Sequence, residues 1–334
     1  MNVRNAVSNG NAPTVISTFA GCGGSSLGYK LAGFRELLAV EWDNNAVETF
    51  RLNFPEVPVY HGDIAKLTGA ECMRLAGVGV GELDVLDGSP PCQGFSTAGK
   101  RKFDDPRNSL FREYARLLRE LQPRVFVMEN VTGMIKGHMK QAYLTIIAEL
   151  RACGYRAKGE VLNAMYYGVP QSRERVIIIG VRNDLGIEPS HPKPQTRPMT
   201  VRVALQPPVD IPAWQMCVAE KTKDYAVGRE LARLKEGENN FNLARIARDR
   251  PCPTICKRGG NHVRCLSHWT ELRVMTPAEL SRLASFPDGF VWPKHGRHDS
   301  DAFENVWSRI GNCVPPNLMR AIATHIKENI LAHA

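Results

Sequence analysis

Leu83-Asp84-Val85-Leu86-Asp87-Gly88-Ser89-Pro90-Pro91-Cys92-Gln93 runs from an apolar stretch of strand length into a turn stiffened by two prolines. Its cysteine stands among rigid, small and polar residues rather than inside an apolar run, which favours a reactive thiol over a packed one. The segment alone fits a proline turn with an incidental thiol equally well, so its surroundings decide. Working outward, apolar runs at Thr14–Ala20, Glu36–Val40, Val57–Tyr60, Val125–Met128 and Val176–Val181 predict further strands. Helical stretches fit between them, at Ser26–Ala32, after Asp43 through Phe50, at Leu110–Leu121 and at Tyr143–Cys153. This alternation predicts an α/β fold with a doubly wound, mostly parallel sheet. Such sheets bind ligands beyond the carboxyl ends of their strands. Gly21, Glu41, Asp63, Cys92 and Glu129 each follow a predicted strand, so one rim is expected to hold them all.

The 334 residues are 43% hydrophobic and 23% charged, enough to bury a core in one large domain or two moderate ones. No apolar stretch approaches the roughly 20 residues that span a bilayer. Residues 1–13 are polar, lack the apolar centre of a signal peptide, and read as a loose tail on a cytoplasmic protein. Nine scattered cysteines fit a reducing compartment better than a disulfide framework. The net charge of +9 is compatible with a polyanionic partner, nucleic acid first.

Proline-rich stretches at His191–Gln195 and Gln206–Pro212 mark a boundary. From there to about Glu271 periodicity is poor and cations gather. Arg245, Arg248, Arg250, Lys257, Arg258 and Arg264 face only Asp249 between Leu243 and Arg264. Thr276 then caps a predicted helix with Pro277 at its first position. Leu318, Ile322, Ile326 and Ile330 line one face of a final helix.

Phe19-Ala20-Gly21-Cys22-Gly23-Gly24 is a glycine turn between a strand and a helix, where backbone can approach a ligand closely. It lacks the lysine of a P-loop and the Gly-x-Gly-x-x-Gly spacing of a dinucleotide site. Glu41, twenty residues beyond Gly21, stands where an acid binds ribose hydroxyls. Alternatively, Glu41-Trp42-Asp43 is a helix cap beside a core tryptophan. Together these segments favour an adenosine-type cofactor without phosphates. Glu129, directly after the apolar run Val125–Met128, is expected to be partly desolvated, with a raised pKa suited to proton donation. A helix-capping acid is the alternative. In Gln171-Ser172-Arg173-Glu174-Arg175 the alternating arginines would, taken alone, form a solvated charge run.

Taken in order, these segments resemble the cytosine-5 DNA methyltransferases, from about Val15 to Ile330. The resemblance rests on Phe19–Gly24, Gly62-Asp63, Pro90-Pro91-Cys92-Gln93, Glu129-Asn130-Val131 and Gln171–Arg175. Arg273-Val274-Met275-Thr276, Phe286-Pro287-Asp288 and Ile310-Gly311-Asn312-Cys313-Val314-Pro315 extend it. It implies a Rossmann-like, S-adenosylmethionine-dependent catalytic domain of residues 14–190 and 272–334. A smaller, irregular, β-rich target-recognition domain of residues 195–271 would interrupt it. Cys92, Glu129, Arg173, Arg175 and Gln93 would be catalytic, acting on a cytosine flipped out of double-stranded DNA. Phe19, Gly21, Gly23, Gly24, Glu41, Trp42, Asp63, Pro91, Leu110 and Asn312 would surround S-adenosylmethionine. Gln93–Asn108 matches a mobile catalytic loop, with Ser96, Lys100 and Arg107 toward DNA. The family often has aspartate two residues before Phe19, where this chain has Ser17, which loses one cofactor contact.

In the basic stretch, Thr254-Ile255 resembles the family's threonine–leucine pair, which places Lys257, Arg258 and Asn261 on a base-reading loop beside Thr254. Cys252, Cys256, His262, Cys265 and His268 do not have the spacing of common zinc sites, so no metal is expected. The resemblance implies a protein that acts as a monomer with no membrane partner; the sequence leaves open whether a cognate restriction endonuclease accompanies it in function, not in a complex, or it is solitary. Two other readings are a transfer-RNA cytosine-5 methyltransferase, whose Cys-Phe-Thr signature is not found here, and a DNA-binding regulator, against which the intact Cys92, Glu129 and Arg175 argue.

Overall fold

A computed structural model of the chain describes residues 12–91, 109–221, 229, 231–240, 243–257 and 265–334. Contacts divide it into two units. One takes the described residues up to Leu162 with Glu174–Lys193 and Met319–Ala334; the other takes Asn163–Arg173 and Pro194–Leu318. Residues 272–318, which the sequence reading assigned to the catalytic domain, group with the second unit.

The first unit is built on a seven-stranded sheet. Its strands are β1 (Thr14–Thr18), β2 (Arg35–Glu41), β3 (Val59–His61), β4 (Val85–Gly88), β5 (Val125–Val131), β6 (Tyr155–Asn163) and β7 (Glu174–Arg182). They lie in the order β3-β2-β1-β4-β5-β7-β6. The first five are parallel and β7 is antiparallel to β5. Buried parallel strands read as unbroken apolar runs, which is why β1, β2, β4 and β5 stand out in the sequence. Helices α1 (Gly24–Leu31), α2 (Asn44–Asn53), α3 (Gly69–Ala76), α4 (Ser109–Leu121) and α5 (Lys140–Ala152) belong to the same unit.

The core explains how α4 is held. Phe111, Tyr114, Leu117, Leu118 and Leu121 recur at helical spacing and pack in one cluster with Leu86, Phe126 and Met128 of the sheet. Each fully buried side chain of this size contributes about 1.5–3 kcal/mol. The Tyr114 hydroxyl lies 3.2 and 3.1 Å from the carbonyl oxygens of Leu86 and Val127, donating to one at a time, so its polar end is satisfied inside the core. Gly88 has a steric reason: a Cβ there would come within 2.5 Å of Thr18 Oγ1 and 2.6 Å of the Tyr114 ring.

The second unit takes in residues 195–271, which were expected to be β-rich; their described elements include two helices, Val201–Ala204 and Ala213–Lys221, and two short strands. Its two-stranded parallel sheet is formed by β8 (Leu243–Arg245) and β9 (Cys265–Ser267), three residues each. Its helices include Ala213–Lys221, Pro277–Leu283 and Asp299–Asn312. The second of these starts as expected: Thr276 and Glu279 form a capping box, and Arg273 clamps Glu279 with two 2.9 Å bonds. The short strands are compensated by side chains that bind main chain. The Arg245 guanidinium donates to the carbonyls of Trp269, Thr270 and Leu234, each at 2.9 Å. Among the described residues no helix is long and apolar enough to cross a membrane.

Candidate active site

The strand register brings the motif turns of the sheet unit to one level. Thr18 of β1 lies beside Val40 of β2 and Gly88 of β4, and Gly88 lies beside Met128 of β5. Phe19, Glu41, Ser89 and Glu129, the next residues on each strand, therefore emerge together at the carboxyl edge. The strand order reverses between β1 and β4, so the Phe19–Gly24 turn and the Ser89–Pro91 turn flank the point where such sheets bind ligands. The antiparallel strand completes the rim, because Arg175 at the start of β7 pairs with Val131 at the end of β5.

The glycine turn is shaped by left-handed backbone. Phe19 has φ 55°, a conformation that costs a bulky residue of order 1–3 kcal/mol. Gly21 (φ 57°) and Gly23 (φ 93°) are glycine for different reasons. A Cβ on Gly23 would fall 2.3 Å from the Phe54 ring, whereas one on Gly21 would meet nothing within 4 Å. The packing needs Gly23, and Gly21 opens to free space. Glu41 is buried and fixes this turn: Oε2 accepts from Gly21 N at 2.8 Å, and Oε1 accepts from Trp42 N and Asp43 N, both at 2.9 Å.

Trp42 itself is 77% exposed, which removes the alternative of a core tryptophan. Asp63 is exposed and uses Oδ1 to accept from Ala65 N at 3.0 Å. Gly24 is buried at the start of α1, Pro91 is exposed and Leu110 is half-buried against the core. Ser17 is buried in β1 beside Asp87 of β4, so an acid lies at that depth on the neighbouring strand.

Glu129 and Arg175 meet across the β5–β7 pair, with Arg175 Nε 2.7 Å from Glu129 Oε1 and both side chains about one-eighth exposed. Glu129 was expected to be partly desolvated, and it lies nearly buried beside the Arg175 guanidinium. The buried Asn130 side chain donates to Pro90 O at 3.1 Å and accepts from Val131 N at 2.9 Å. The turn that leads into Cys92 is thereby tied to the strand end that carries Glu129. Arg173 is placed otherwise. It lies in the second unit, 2% exposed, with its guanidinium on the carbonyls of Ile255 (2.9 Å) and Gly311 (3.0 Å). In the same unit Thr254 donates to Ser172 O at 2.8 Å, Lys257 is exposed, and Asn312 is exposed at the end of its helix. Cys92, Gln93, Ser96, Lys100, Arg107, Arg258 and Asn261 lie outside the described residues. Cys252 is fully buried, and desolvation pushes its thiol well up.

Two acids inside the sheet unit, the buried Asp87 and the half-buried Glu36, were not singled out from the sequence. Asp87 is pushed up to about 8, first by burial and then by the neighbouring Glu36 carboxyl, with hydrogen bonds from Ser25 and Tyr29 working against the shift. Glu36 is pushed up to about 7, chiefly by burial, and Ser26 Oγ donates to it at 2.9 Å. The available signal was a charged residue at the border of an apolar run, Asp87 directly after Leu83–Leu86 and Glu36 at the start of Glu36–Val40.

This sheet order and its rim define a Rossmann-like, S-adenosylmethionine-dependent methyltransferase. The model of the C-5 cytosine-specific DNA methylase family matches residues 13–328, and the chain belongs to that family: it is a DNA cytosine-5 methyltransferase. It is 34% identical over 332 residues to the type II methyltransferase M1.HphI of Haemophilus parahaemolyticus, covering 93% of this chain and 85% of that one. It is 33% identical over 345 residues to M.NgoPII of Neisseria gonorrhoeae, covering 96% and 97%. A crystal structure of an E. coli prophage-encoded protein described as a DNA modification methyltransferase superposes with a TM-score of 0.75 at 27% identity, covering 96% of this chain and all of that one. The S. pombe Dnmt2 methyltransferase superposes at 0.66 with 18% identity, over 95% and 99% of the two chains, a likeness of fold alone.

Proposed function

We propose that Cys92 is the nucleophile of this methyltransferase and that its target is a cytosine swung out of duplex DNA. Carbon 5 of cytosine is a poor nucleophile, and its ring faces are covered within the base stack. Addition of the Cys92 thiolate to carbon 6 forms a carbon–sulfur bond and opens the 5,6 double bond. Ring nitrogen 3 takes a proton from Glu129, and carbon 5 becomes enamine-like. S-adenosylmethionine, when bound, supplies the electrophilic methyl group. A base then takes the carbon 5 proton, the released electron pair restores the 5,6 double bond and expels the Cys92 thiolate, and nitrogen 3 returns its proton to Glu129. Arg175 holds the Glu129 carboxyl in place.

The single observation that carries this reading is the Glu129–Arg175 pair at 2.7 Å, tied through Asn130 to the Pro90–Pro91 turn just before Cys92. The rim fits the methyl donor as well. Gly21 opens to free space, and Glu41 is held by three main-chain donors with about one lone pair, on Oε2, left for a hydroxyl. Trp42 offers an exposed ring. Phe19, Gly21, Gly23, Gly24, Glu41, Trp42, Asp63, Pro91, Leu110 and Asn312 would hold it. Gln93 would border the reacting base, and Ser96, Lys100, Arg107, Thr254, Lys257, Arg258 and Asn261 would face DNA. Residues 195–271 would select the sequence. The type II methyltransferases among the relatives support a companion restriction endonuclease, and the chain would act as a monomer in the cytoplasm, where that DNA lies.

Transfer of labelled methyl groups to unmethylated genomic DNA and to total RNA in parallel tests the reading. Label as 5-methylcytosine in DNA alone is expected. Label in RNA alone would move the chain to the transfer-RNA branch, and none in either would favour a binding role. DNA carrying 5-fluorocytosine is expected to trap an adduct on Cys92; an active enzyme that traps none would sink the nucleophile assignment.

A further inference from the structure

Pro170–Arg173 and Cys252–Lys257 are bound along their length within the second unit. Cys252 N donates to Pro170 O at 2.9 Å, and Ser172 N donates to Cys252 O at 2.8 Å. Thr254 Oγ1 donates to Ser172 O at 2.8 Å, and Ile255 N donates to the side-chain oxygen of Gln171 at 3.1 Å. Arg173 ends the series and adds a third segment, since one guanidinium nitrogen donates to Ile255 O and the other to Gly311 O. Two further contacts close the same junction. Trp307 Nε1 donates to Cys256 O at 3.2 Å. A Cβ on Gly311 would lie 2.5 Å from the Cys256 carbonyl and 2.6 Å from Lys257 N, so only glycine lets the two backbones meet.

A buried cation bridging two main-chain carbonyls is an expensive way to hold a turn unless the turn's placement matters. The guanidinium is suited to it, because its rigid planar fork reaches two acceptors that a single ammonium does not span. The segment so held carries Thr254 and Lys257. We propose that Arg173 is a positioning residue for DNA recognition, pinning the Thr254–Lys257 stretch against the Gly311 turn. The proposal rests on the reading that Thr254 and Lys257 face DNA. It separates Arg173 from Arg175: one sets where recognition residues stand, the other holds the carboxyl that acts on the base.

The test compares wild type, Arg173→Lys and Trp307→Phe on unmethylated genomic DNA. Methylated cytosines are mapped, kcat and KM for DNA are measured, and adduct formation on 5-fluorocytosine DNA is timed at saturating DNA. Arg173→Lys is expected to raise KM for DNA about tenfold or more and to extend methylation to near-cognate sites. Its trapping rate at saturation is expected to stay within about threefold of wild type. Trp307→Phe, which removes the indole donor to Cys256, is expected to move the same quantities less. Should Arg173→Lys not fold, Trp307→Phe decides alone.

Trapping slowed about a hundredfold with KM unchanged would make Arg173 a catalytic group and overturn the proposal. Unchanged KM and an unchanged site map in a folded variant would overturn it too. A wild type that methylates no DNA would instead overturn the reading on which the proposal rests, a result visible before either variant is made.

Discussion

Glu129 and Asp87 are carboxyls on neighbouring strands, yet their surroundings differ. Asp87 on β4 is level with Val127 on β5, two residues short of Glu129. Glu129 sits at the sheet edge with the Arg175 guanidinium 2.7 Å away. Asp87 is 3% exposed, with the Tyr29 hydroxyl at 3.3 Å and the Glu36 carboxyl among its electrostatic neighbours. Burial dominates at Asp87, and hydroxyl donors only soften it. Two residues of depth along a parallel sheet thus separate a carboxyl paired with a guanidinium at the edge from one that burial keeps protonated. The partner distinguishes the two acids, and on the proposed function it is the paired one that acts.

The largest effect should come from breaking the rim pair. If Glu129 is the proton donor proposed above, Glu129→Gln is expected to lower the single-turnover methylation rate about 10²–10⁴-fold, read by rapid quench with labelled methyl donor. Arg175→Met should lower it as well. If the two act as one unit, the double variant will be scarcely slower than Glu129→Gln alone. Full additivity would mean that Arg175 acts on the base separately from Glu129. A rate within about tenfold of wild type for Glu129→Gln would erase the distinction between the two acids.

The second effect is on stability and belongs to Asp87. Its pKa is about 8 in the folded chain, against about 3.9 for an unperturbed aspartate. The folded state therefore holds a proton that the unfolded chain releases. The stability linked to that proton is complete below about pH 4 and is lost as pH rises through about 8, by at most about 1.4 kcal/mol per pH unit. Glu36 adds the same sign at about 7. Urea unfolding from pH 6 to pH 9 should show wild type weakening steadily, and Asp87→Asn should flatten that slope and overtake wild type at the alkaline end. Parallel curves for the two proteins would mean that Asp87 is already ionised near neutrality.

Much of the rim was legible in the sequence because glycine and proline state backbone geometry directly. The Phe19–Gly24 turn and the Pro90–Pro91 turn fall where they were expected, beside β1 and β4. Partners were not legible, because they come from far along the chain. Arg173 meets carbonyls 82 and 138 residues away, and nothing in Gln171–Arg175 separates its two arginines. Strand β6 went unread because Lys158, Gly159 and Glu160 interrupt its apolar pattern, as charged residues do on an edge strand. The helix Asp299–Asn312 did carry a signal, with Ala302, Phe303, Val306, Trp307 and Ile310 all buried. Its polar first turn, capped by His298 and Asp301 rather than by serine or threonine, hid the start.

The smallest effect separates binding from folding on the rim. Trp42 directly follows Glu41, whose carboxyl is locked by three main-chain donors, so the backbone position of the ring is fixed. Its side chain is 77% exposed and so contributes little to the core. A flat exposed ring at that position is useful if it stacks on an adenine, an interaction of about 0.5–1.5 kcal/mol beyond buried area. Trp42→Ala is then expected to weaken S-adenosylmethionine binding about tenfold by calorimetry. The urea midpoint should stay where it was. A lowered midpoint with unchanged affinity would return Trp42 to a packing role and leave the glycine turn and Glu41 to hold the adenosine without it.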